Sequence, residues 1–447
     1  MRTLQQNLTI PCISAALLIV AIAWAMRPIH AEEAAEGAPT AAPTAAAPTS
    51  ADLAMWIDGR VARHFAESGR PEPALVDDAT FLRRVYLDLH GAIPPTSRVR
   101  DFLDDPATDK RFALVDQLLK DDRYYAHMAR TWRRIFLPGN AQTAATGVAF
   151  EAWLREQLAA NAPFDAMIRQ IVTAGGAEER DESDSRDRRN GGDRRDRDDD
   201  DRQNSGAIAY LQAAGADPAS VAGAISRDFL GVRIECAQCH DHPTADWKQD
   251  KFWGVAAFFA GASFNQPVVQ DANRRRERPR DQRVATISPP DIGKTFSAEF
   301  LWNDEPVADE NDRLPRQVFA EWLTSAENSH FAATAVNRVW RQLCGRGLTQ
   351  SVDDLDAATE NERAVVLDEL AKRFAGAGFD VTWLVGGICK SRAYQFEASG
   401  SPESSELVGV RPLKTLSPEQ VFDALETAGT PPSWGRTSTG RATFVKR

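Results

Sequence analysis

The sequence predicts a mainly α-helical protein in which two helical, bundle-like domains are joined by an irregular segment, with few short strands. Two long stretches, residues 52–176 and residues 314–428, repeat apolar side chains at the three- and four-residue spacing of amphipathic helices. Each apolar stripe is too narrow to be stable alone, so the helices must pack against one another. The segment between the stretches is less regular and carries the pattern Cys-x-x-Cys-His. We therefore expect an N-terminal domain over residues 51–303 and a C-terminal domain over residues 312–428.

Residues 1–31 have the layout of a secretory signal peptide. Arg2 precedes an apolar run over residues 13–26, and Ala31 offers a small residue for cleavage. The run is short for a membrane-spanning helix, although an uncleaved anchor is the alternative. Residues 32–50 repeat Ala, Pro and Thr, which predicts a disordered linker. The sequence thus predicts export to the periplasm or cell envelope, with no membrane span after cleavage.

The helices of the N-terminal domain are predicted from successive apolar stripes. Their members are Phe81, Leu82, Val85 and Leu89; Phe112, Val115, Leu118 and Leu119; Tyr125, Met128, Ala129, Trp132, Ile135 and Phe136; Phe150, Trp153, Leu154 and Leu158; and Phe164, Met167, Ile168 and Ile171. Pro94 and Pro95 end the first stripe, and Thr96 is the predicted N-cap of the next helix. A charged insertion at residues 178–205 is predicted to be disordered, because residues 178–202 hold 12 acidic residues and eight Arg without one apolar side chain.

Helical spacing returns on both sides of the Cys-x-x-Cys-His pattern. A helix ending near Leu230 leads to it, and Phe252, Val255 and Phe259 predict a short amphipathic helix after it. Residues 284–302 are rich in Thr, Phe and Pro and predict one or two short strands.

The C-terminal domain repeats the helical spacing. The members of its stripes are Val318, Trp322 and Leu323; Phe331, Ala335, Val336, Val339 and Trp340; Val366, Leu367, Leu370 and Phe374; Trp383, Leu384 and Ile388; and Val421, Phe422 and Leu425. Ser417, Pro418 and Gln420 form a capping box that predicts the start of the last helix. Residues 429–447 are mostly small and polar and predict a disordered tail.

Cys236, Cys239 and His240 form the one strongly specific chemical pattern in the chain. Cys-x-x-Cys-His is typical of covalent c-type haem attachment. Two thiols at this spacing can reach the two vinyl groups of one porphyrin, and the following imidazole can bind the iron from the proximal side. The pattern agrees with export, since bacterial haem attachment takes place outside the cytoplasmic membrane.

No Met follows His240, so the second axial ligand of an ordinary small cytochrome c is missing. His127 and Met128 are the candidates for that position, and their alternative roles are a surface or capping residue and a core residue. His242 and Asp241 are candidates for further ligation or for hydrogen bonds that orient the iron-binding imidazole.

The same cluster has two other interpretations. Cys236, Cys239 and either His240 or His242 could bind zinc with one more ligand, although no second ligand pair lies a loop away. The two thiols could instead form a disulfide or a redox dithiol, but the strand and helix alternation of thioredoxin-like proteins is missing. Cys344 and Cys389 lie in apolar helical contexts, where a disulfide and two buried thiols are both open.

Three stretches of the chain together resemble a family pair. They are FLRRVYLDLHG at residues 81–91, followed by the Pro-Pro-Thr of residues 94–96; CAQCHDHPTADW at residues 236–247 with its flanks; and NRVW, GRGL and SRAYQ at residues 337–340, 345–348 and 391–395. They resemble the paired domains of unknown function of planctomycete secreted proteins, the first of which is named as cytochrome c-like. The resemblance implies haem attachment at Cys236 and Cys239 and iron binding by His240, and its cytochrome label rests largely on the same pattern. The charged insertion and the short C-terminus depart from the family.

Composition and motifs bear on which classes of function the chain can have. The formal charge of −11 argues against general affinity for nucleic acids. The sequence has no Gly-x-Ser-x-Gly, phosphate-loop or dinucleotide pattern, so no catalytic constellation is recognised. We expect a periplasmic haem protein that transfers electrons or supports a redox or degradative system, with an unidentified redox or secreted protein as its partner. The alternative is a zinc-stabilised scaffold or carbohydrate-associated binding module without redox chemistry.

Overall fold

The structure, a computed structural model, describes residues 48–137, 139, 145–175, 206–243, 245–261, 285–303, 313–355, 361–399 and 408–429. The predicted signal peptide and charged insertion, and nearly all of the predicted linker and tail, lie outside these residues. Helices dominate the described residues and strands are few and short, so the predicted mainly α-helical fold is confirmed.

The elements of the N-terminal segment surround the Cys-x-x-Cys-His pattern on both sides. They are α1 (Ser50–Ser68), α2 (Asp78–Leu89), α3 (Thr96–Asp104), α4 (Lys110–Leu119), α5 (Asp122–Phe136), α6 (Ala145–Ala159), α7 (Phe164–Thr173), α8 (Pro218–Ile225), a π-helix (Ser226–Leu230), a 3-10 helix (Glu235–Gln238), α9 (Gln249–Ala257), β1 (Thr286–Ile287) and β2 (Phe296–Ser297). Residues 206–213 are also helical.

Helices make up most of the described residues of the C-terminal segment, and the irregular stretches between them include the isolated bridges Leu75–Phe396 and Ala398–Arg411. Its helices are α10 (Pro315–Leu323), α11 (Ser329–Cys344), α12 (Glu362–Gly376), α13 (Val381–Lys390), α14 (Arg392–Gln395) and α15 (Pro418–Thr427).

Local sequence determines several helix starts. The predicted capping box is confirmed at α15, where the Ser417 hydroxyl accepts the N–H of Gln420 at 3.3 Å. At α1, Thr49 and Asp52 form the same reciprocal pair, so α1 begins at the last residue of the predicted linker. The predicted cap at Thr96 is wrong. Pro95 is the N-cap of α3 and Thr96 is already helical, because the fixed φ of proline suits the extended residue before a helix.

One apolar core is shared by the two predicted domains. The ring of Phe164 at the start of α7 stacks on Phe331 of α11 with centroids 5.4 Å apart, and its N–H donates to Phe379 O at 3.0 Å. Leu53 of α1 packs so closely on Gly387 of α13 that an added Cβ would lie 2.4 Å from Cδ2. The described residues belong to one compact unit, and the boundary between the two domains stays a prediction.

The two predicted strands form a small antiparallel pair beside α9. Thr286 pairs with Ser297, and Ile287 pairs with Phe296. Phe296 stacks on Trp253 of α9 with ring centroids 6.1 Å apart. Among the helices in the described part of the chain, none has the length and apolar character needed to cross a membrane.

Candidate functional site

The Cys-x-x-Cys-His pattern folds into one short exposed turn, here called the Cys236–His240 turn. Cys236 lies in the 3-10 helix, and Cys239 and His240 follow directly. Both cysteines have free thiols and are exposed, and His240 is exposed as well. Ala237, between the cysteines, is fully buried and its N–H donates to Ile234 O at 2.8 Å. The turn is therefore anchored by its apolar residue and presents its three reactive side chains outward.

Helix α9 holds the carbonyl groups of this turn. The indole N–H of Trp253 donates to Gln238 O at 3.0 Å. The Gln249 side chain donates to Gln238 O at 3.2 Å and to Cys239 O at 2.9 Å. The Asp241 carboxylate accepts the backbone N–H of Gln249 at 2.9 Å. The negative charge of Asp241, held at the first residue of α9, also interacts favourably with the positive end of the helix dipole.

Hydrogen bonds determine which nitrogen of each imidazole carries the proton. His240 Nδ1 lies 2.7 Å from Asp241 O, and a carbonyl oxygen can only accept, so Nδ1 donates. In the neutral ring Nε2 then bears the lone pair, which is the arrangement found in metal-binding histidines. His242 has the opposite tautomer, because its Nδ1 accepts the N–H of Ala245 at 2.9 Å. The two predicted imidazoles therefore differ in chemistry.

The described residues do not present a zinc site. No three His, Cys, Asp or Glu side chains in this part of the chain are grouped closely enough to hold a metal ion. A structural zinc site needs four protein ligands in a tetrahedron. The described residues of the turn supply fewer than four such ligands, and both haem attachment and zinc binding at Cys236, Cys239 and His240 stay predictions.

His127 and Met128 are buried in α5. The His127 ring packs against Gly91, and burial lowers its pKa to about 3. The sulfur of Met128 accepts a hydrogen bond from Gln342 Nε2 at 3.3 Å. These partners belong to the end of α2 and to α11, whereas the Cys236–His240 turn packs on α8 and α9. Their role as an additional iron ligand stays a prediction.

Cys344 and Cys389 are two buried thiols and are not joined in a disulfide. Burial raises the pKa of both. A buried protonated thiol is a poor nucleophile, so these residues act as small apolar core residues.

Sequence analysis missed two buried carboxylates. Asp88 of α2 accepts the Tyr394 hydroxyl at 2.8 Å and pairs with Lys414. Asp228 in the π-helix accepts the Tyr210 hydroxyl at 2.9 Å, and burial raises its pKa. A sequence signal was present: each Asp stands beside large apolar residues in a stripe that must be buried.

Comparison with known proteins gives two family matches. Residues 56–264 match a model described as a protein of unknown function (DUF1549), and residues 315–439 match a second, also described as a protein of unknown function (DUF1553). No match was found among curated proteins or solved structures. The predicted pairing of two domains of unknown function is confirmed: the DUF1549 match is followed along the chain by the DUF1553 match.

Proposed function

We propose that this chain is an exported c-type haem-binding protein that transfers electrons. The thiols of Cys236 and Cys239 would each add across one vinyl group of the haem, with sulfur bonding one carbon and the thiol hydrogen the other, and His240 would bind the iron through Nε2. The observation that carries the proposal is the combination of two free, exposed thiols with an imidazole whose Nδ1 is already committed to Asp241 O at 2.7 Å. When bound, the haem supplies one-electron chemistry at its iron.

Asp241 has two tasks in this proposal. Its carbonyl oxygen orients the His240 ring and sets the tautomer, and its carboxylate anchors the same loop to the start of α9 through the Gln249 N–H. A hydrogen bond of this kind raises the basicity of a ligating imidazole. His242 takes no part in the hydrogen bonds that Asp241 makes to His240 and Gln249. Its own Nδ1 accepts the backbone N–H of Ala245.

The exposure of the turn favours electron transfer to a partner over chemistry in an enclosed pocket. The thiols and the imidazole point outward, so the attached group would lie at the protein surface. A cofactor at the surface would lie a short distance from the cofactor of a docked redox protein. Asp241 and Asp246 near the turn are exposed and would favour a partner with a basic docking face, whereas Asp250 is already paired with Lys294 at 2.7 Å.

Spectroscopy and mass measurement test haem attachment. The full chain would be exported in a bacterial host that has the haem-attachment machinery. We expect a Soret band that remains with the unfolded chain and an intact mass increased by one haem. Cys236→Ser and Cys239→Ser should each lose one thioether, whereas Cys344→Ala, which alters a buried thiol, should keep the full haem content. A colourless wild-type protein at its apo mass refutes the proposal, and elemental analysis would then test for zinc.

Export is tested on the same material. Cleavage of the signal peptide predicts a mature N-terminus at residue 32, measurable by N-terminal sequencing. Protein recovered only from the cytoplasm with residues 1–31 attached would contradict export.

A further inference from the structure

A buried carboxylate lies in the π-helix that leads into the Cys236–His240 turn. Asp228 in the π-helix is 2 % exposed. Its oxygens accept the Tyr210 hydroxyl at 2.9 Å and the Arg227 Nε–H at 3.0 Å, and Arg338 Nη2 lies 3.8 Å away. π-helical turns are rare in proteins, and those that occur often lie at functional sites. The proposed haem attachment does not use this group.

Arg338 connects this carboxylate to the C-terminal segment. Its Nη2 donates to the backbone oxygen of Arg227 at 2.9 Å and pairs with the Asp353 carboxylate at 2.8 Å. Only 10 % of the Arg338 side chain is exposed. Arg338 and Asp353 belong to the DUF1553 match, while Asp228 belongs to the DUF1549 match.

The same charges reach the turn itself. Arg227 Nη1 lies 3.4 Å from the carboxylate of Glu235, the residue before Cys236. Arg233 pairs with Asp353 at 3.5 Å. Three guanidinium groups thus face three carboxylates around the start of the turn. Arg338 and Asp228 are the most buried of the six, so removal of Arg338 leaves a buried carboxylate with less compensating charge.

The backbone is confined at the same place. Gly231 has φ +63°, and its oxygen accepts the Leu355 N–H at 2.7 Å. A Cβ at Gly231 would lie 2.7 Å from Thr334 Oγ1, and a Cβ at Gly223 would lie 2.7 Å from Glu235 Cγ. Helix α8 packs against one side of this segment, and α11 with the chain near residue 355 packs against the other.

We propose that Arg338 is a positioning residue of the DUF1553 domain that holds the Cys236–His240 turn in place through Asp228 and Arg227. The site is then completed by both domains: the DUF1549 domain supplies the cysteines and imidazole, and the DUF1553 domain supplies the cation that fixes their backbone. Only the measurement of haem content described below rests on the proposed function; the positioning role itself does not. Lys can replace Arg only in part, because its side chain is one bond shorter and its nitrogen cannot reach the position of Nη2, which makes all three contacts.

Hydrogen exchange followed by mass spectrometry tests the positioning role without reference to haem. In the full chain, Arg338→Gln should speed exchange of the peptide covering residues 231–240 about tenfold, since a charge-assisted contact is lost. Peptides of α1 to α4 should exchange at the wild-type rate. Arg338→Lys should lie between Arg338→Gln and wild type, and Arg341→Gln, an exposed arginine on the same helix, should match wild type. Asp353→Asn provides a milder second variant in case Arg338→Gln does not fold.

Haem content in the same exported preparations gives the second readout. We expect a several-fold lower haem-bearing fraction for Arg338→Gln and an unchanged fraction for Arg341→Gln. Wild-type exchange at residues 231–240 in folded Arg338→Gln and Asp353→Asn, or faster exchange spread equally over the chain, overturns the positioning role. If the wild type carries no haem while the local exchange effect is present, the proposed function fails and the positioning role stands.

Discussion

Replacement of Gly91 by alanine should destabilise the fold far more than the same change at another helix end. Gly91 follows α2 with φ +74°, in the left-handed region that favours glycine. An added Cβ would lie 2.4 Å from His127 Nδ1 and 2.9 Å from Cε1. Both distances are shorter than any ordinary carbon contact, so the buried imidazole would have to move.

The magnitude follows from two costs. A left-handed alanine costs about 1–2 kcal/mol, and overpacking of a filled core costs about 1–3 kcal/mol. We expect Gly91→Ala to lower the free energy of unfolding by about 3 kcal/mol. Gly69 provides the matched control: it ends α1 with φ +65°, and an added Cβ would meet nothing within 4 Å. Gly69→Ala should therefore show only the backbone cost, about 1 kcal/mol.

Urea unfolding of the two variants measures this difference. A third comparison isolates the clash: in a His127→Ala background, Gly91→Ala should cost only about 1 kcal/mol more, because the ring is gone. The reasoning is refuted if Gly91→Ala and Gly69→Ala have equal effects, or if the full cost of Gly91→Ala remains when His127 is absent.

Three other perturbations test the buried groups. Burial lowers the pKa of His127 to about 3, against about 6.5 in the unfolded chain, so its neutral form contributes stability above pH 6.5 that is lost between pH 6.5 and 3. About 2 kcal/mol of the free energy of unfolding should be lost by pH 5. In His127→Gln the urea midpoint should therefore change less with pH than in the wild type, and an equal pH dependence of the two midpoints contradicts this. Asp88→Asn should cost about 3 kcal/mol because Lys414 loses its carboxylate partner, and a thermal midpoint within 1 °C of the wild type, a change of about 0.6 kcal/mol or less for a chain of this size, would contradict the pairing. In native protein without haem, alkylation mapped by peptide mass should label the two thiols of the exposed turn and spare Cys344 and Cys389 until the chain unfolds; labelling of either buried thiol under native conditions contradicts their burial.

Local patterns predicted most of the fold because they depend on near neighbours in the chain. The stripe in α5 was correct at Met128, Ala129, Trp132 and Phe136, which are buried. It was one residue off at its start, where Tyr124 is buried and Tyr125 is only half-buried, and its member Ile135 is also only half-buried. The reason is that the neighbouring element that crosses the first turn of a helix decides which of its residues are buried. The spacing of apolar residues in the sequence carries no information about that neighbour.

Long-range pairs could not be predicted in the same way. An Asp within an apolar stripe indicates a buried carboxylate, but nothing near Asp88 in the sequence points to Tyr394, more than 300 residues away. The partner is selected by the packing of α2 against α14 and the chain near Lys414. The same holds for the His240 tautomer, since it depends on the path of the backbone at Asp241.

The placement of the candidate site on and directly after a four-residue 3-10 helix explains why so much buried structure surrounds it. A 3-10 turn of this length has few hydrogen bonds of its own and poorer geometry than an α-helix. Its reactive side chains must be exposed, so they contribute no packing that would hold it. The holding contacts must therefore come from beneath and beside it: Ala237 in the core, Trp253 on its carbonyl, and the charges around Asp228. Because Arg338 and Asp353 supply part of those charges, an N-terminal segment cut off before α10 would keep its cysteines and His240 but lose the contacts that hold their backbone.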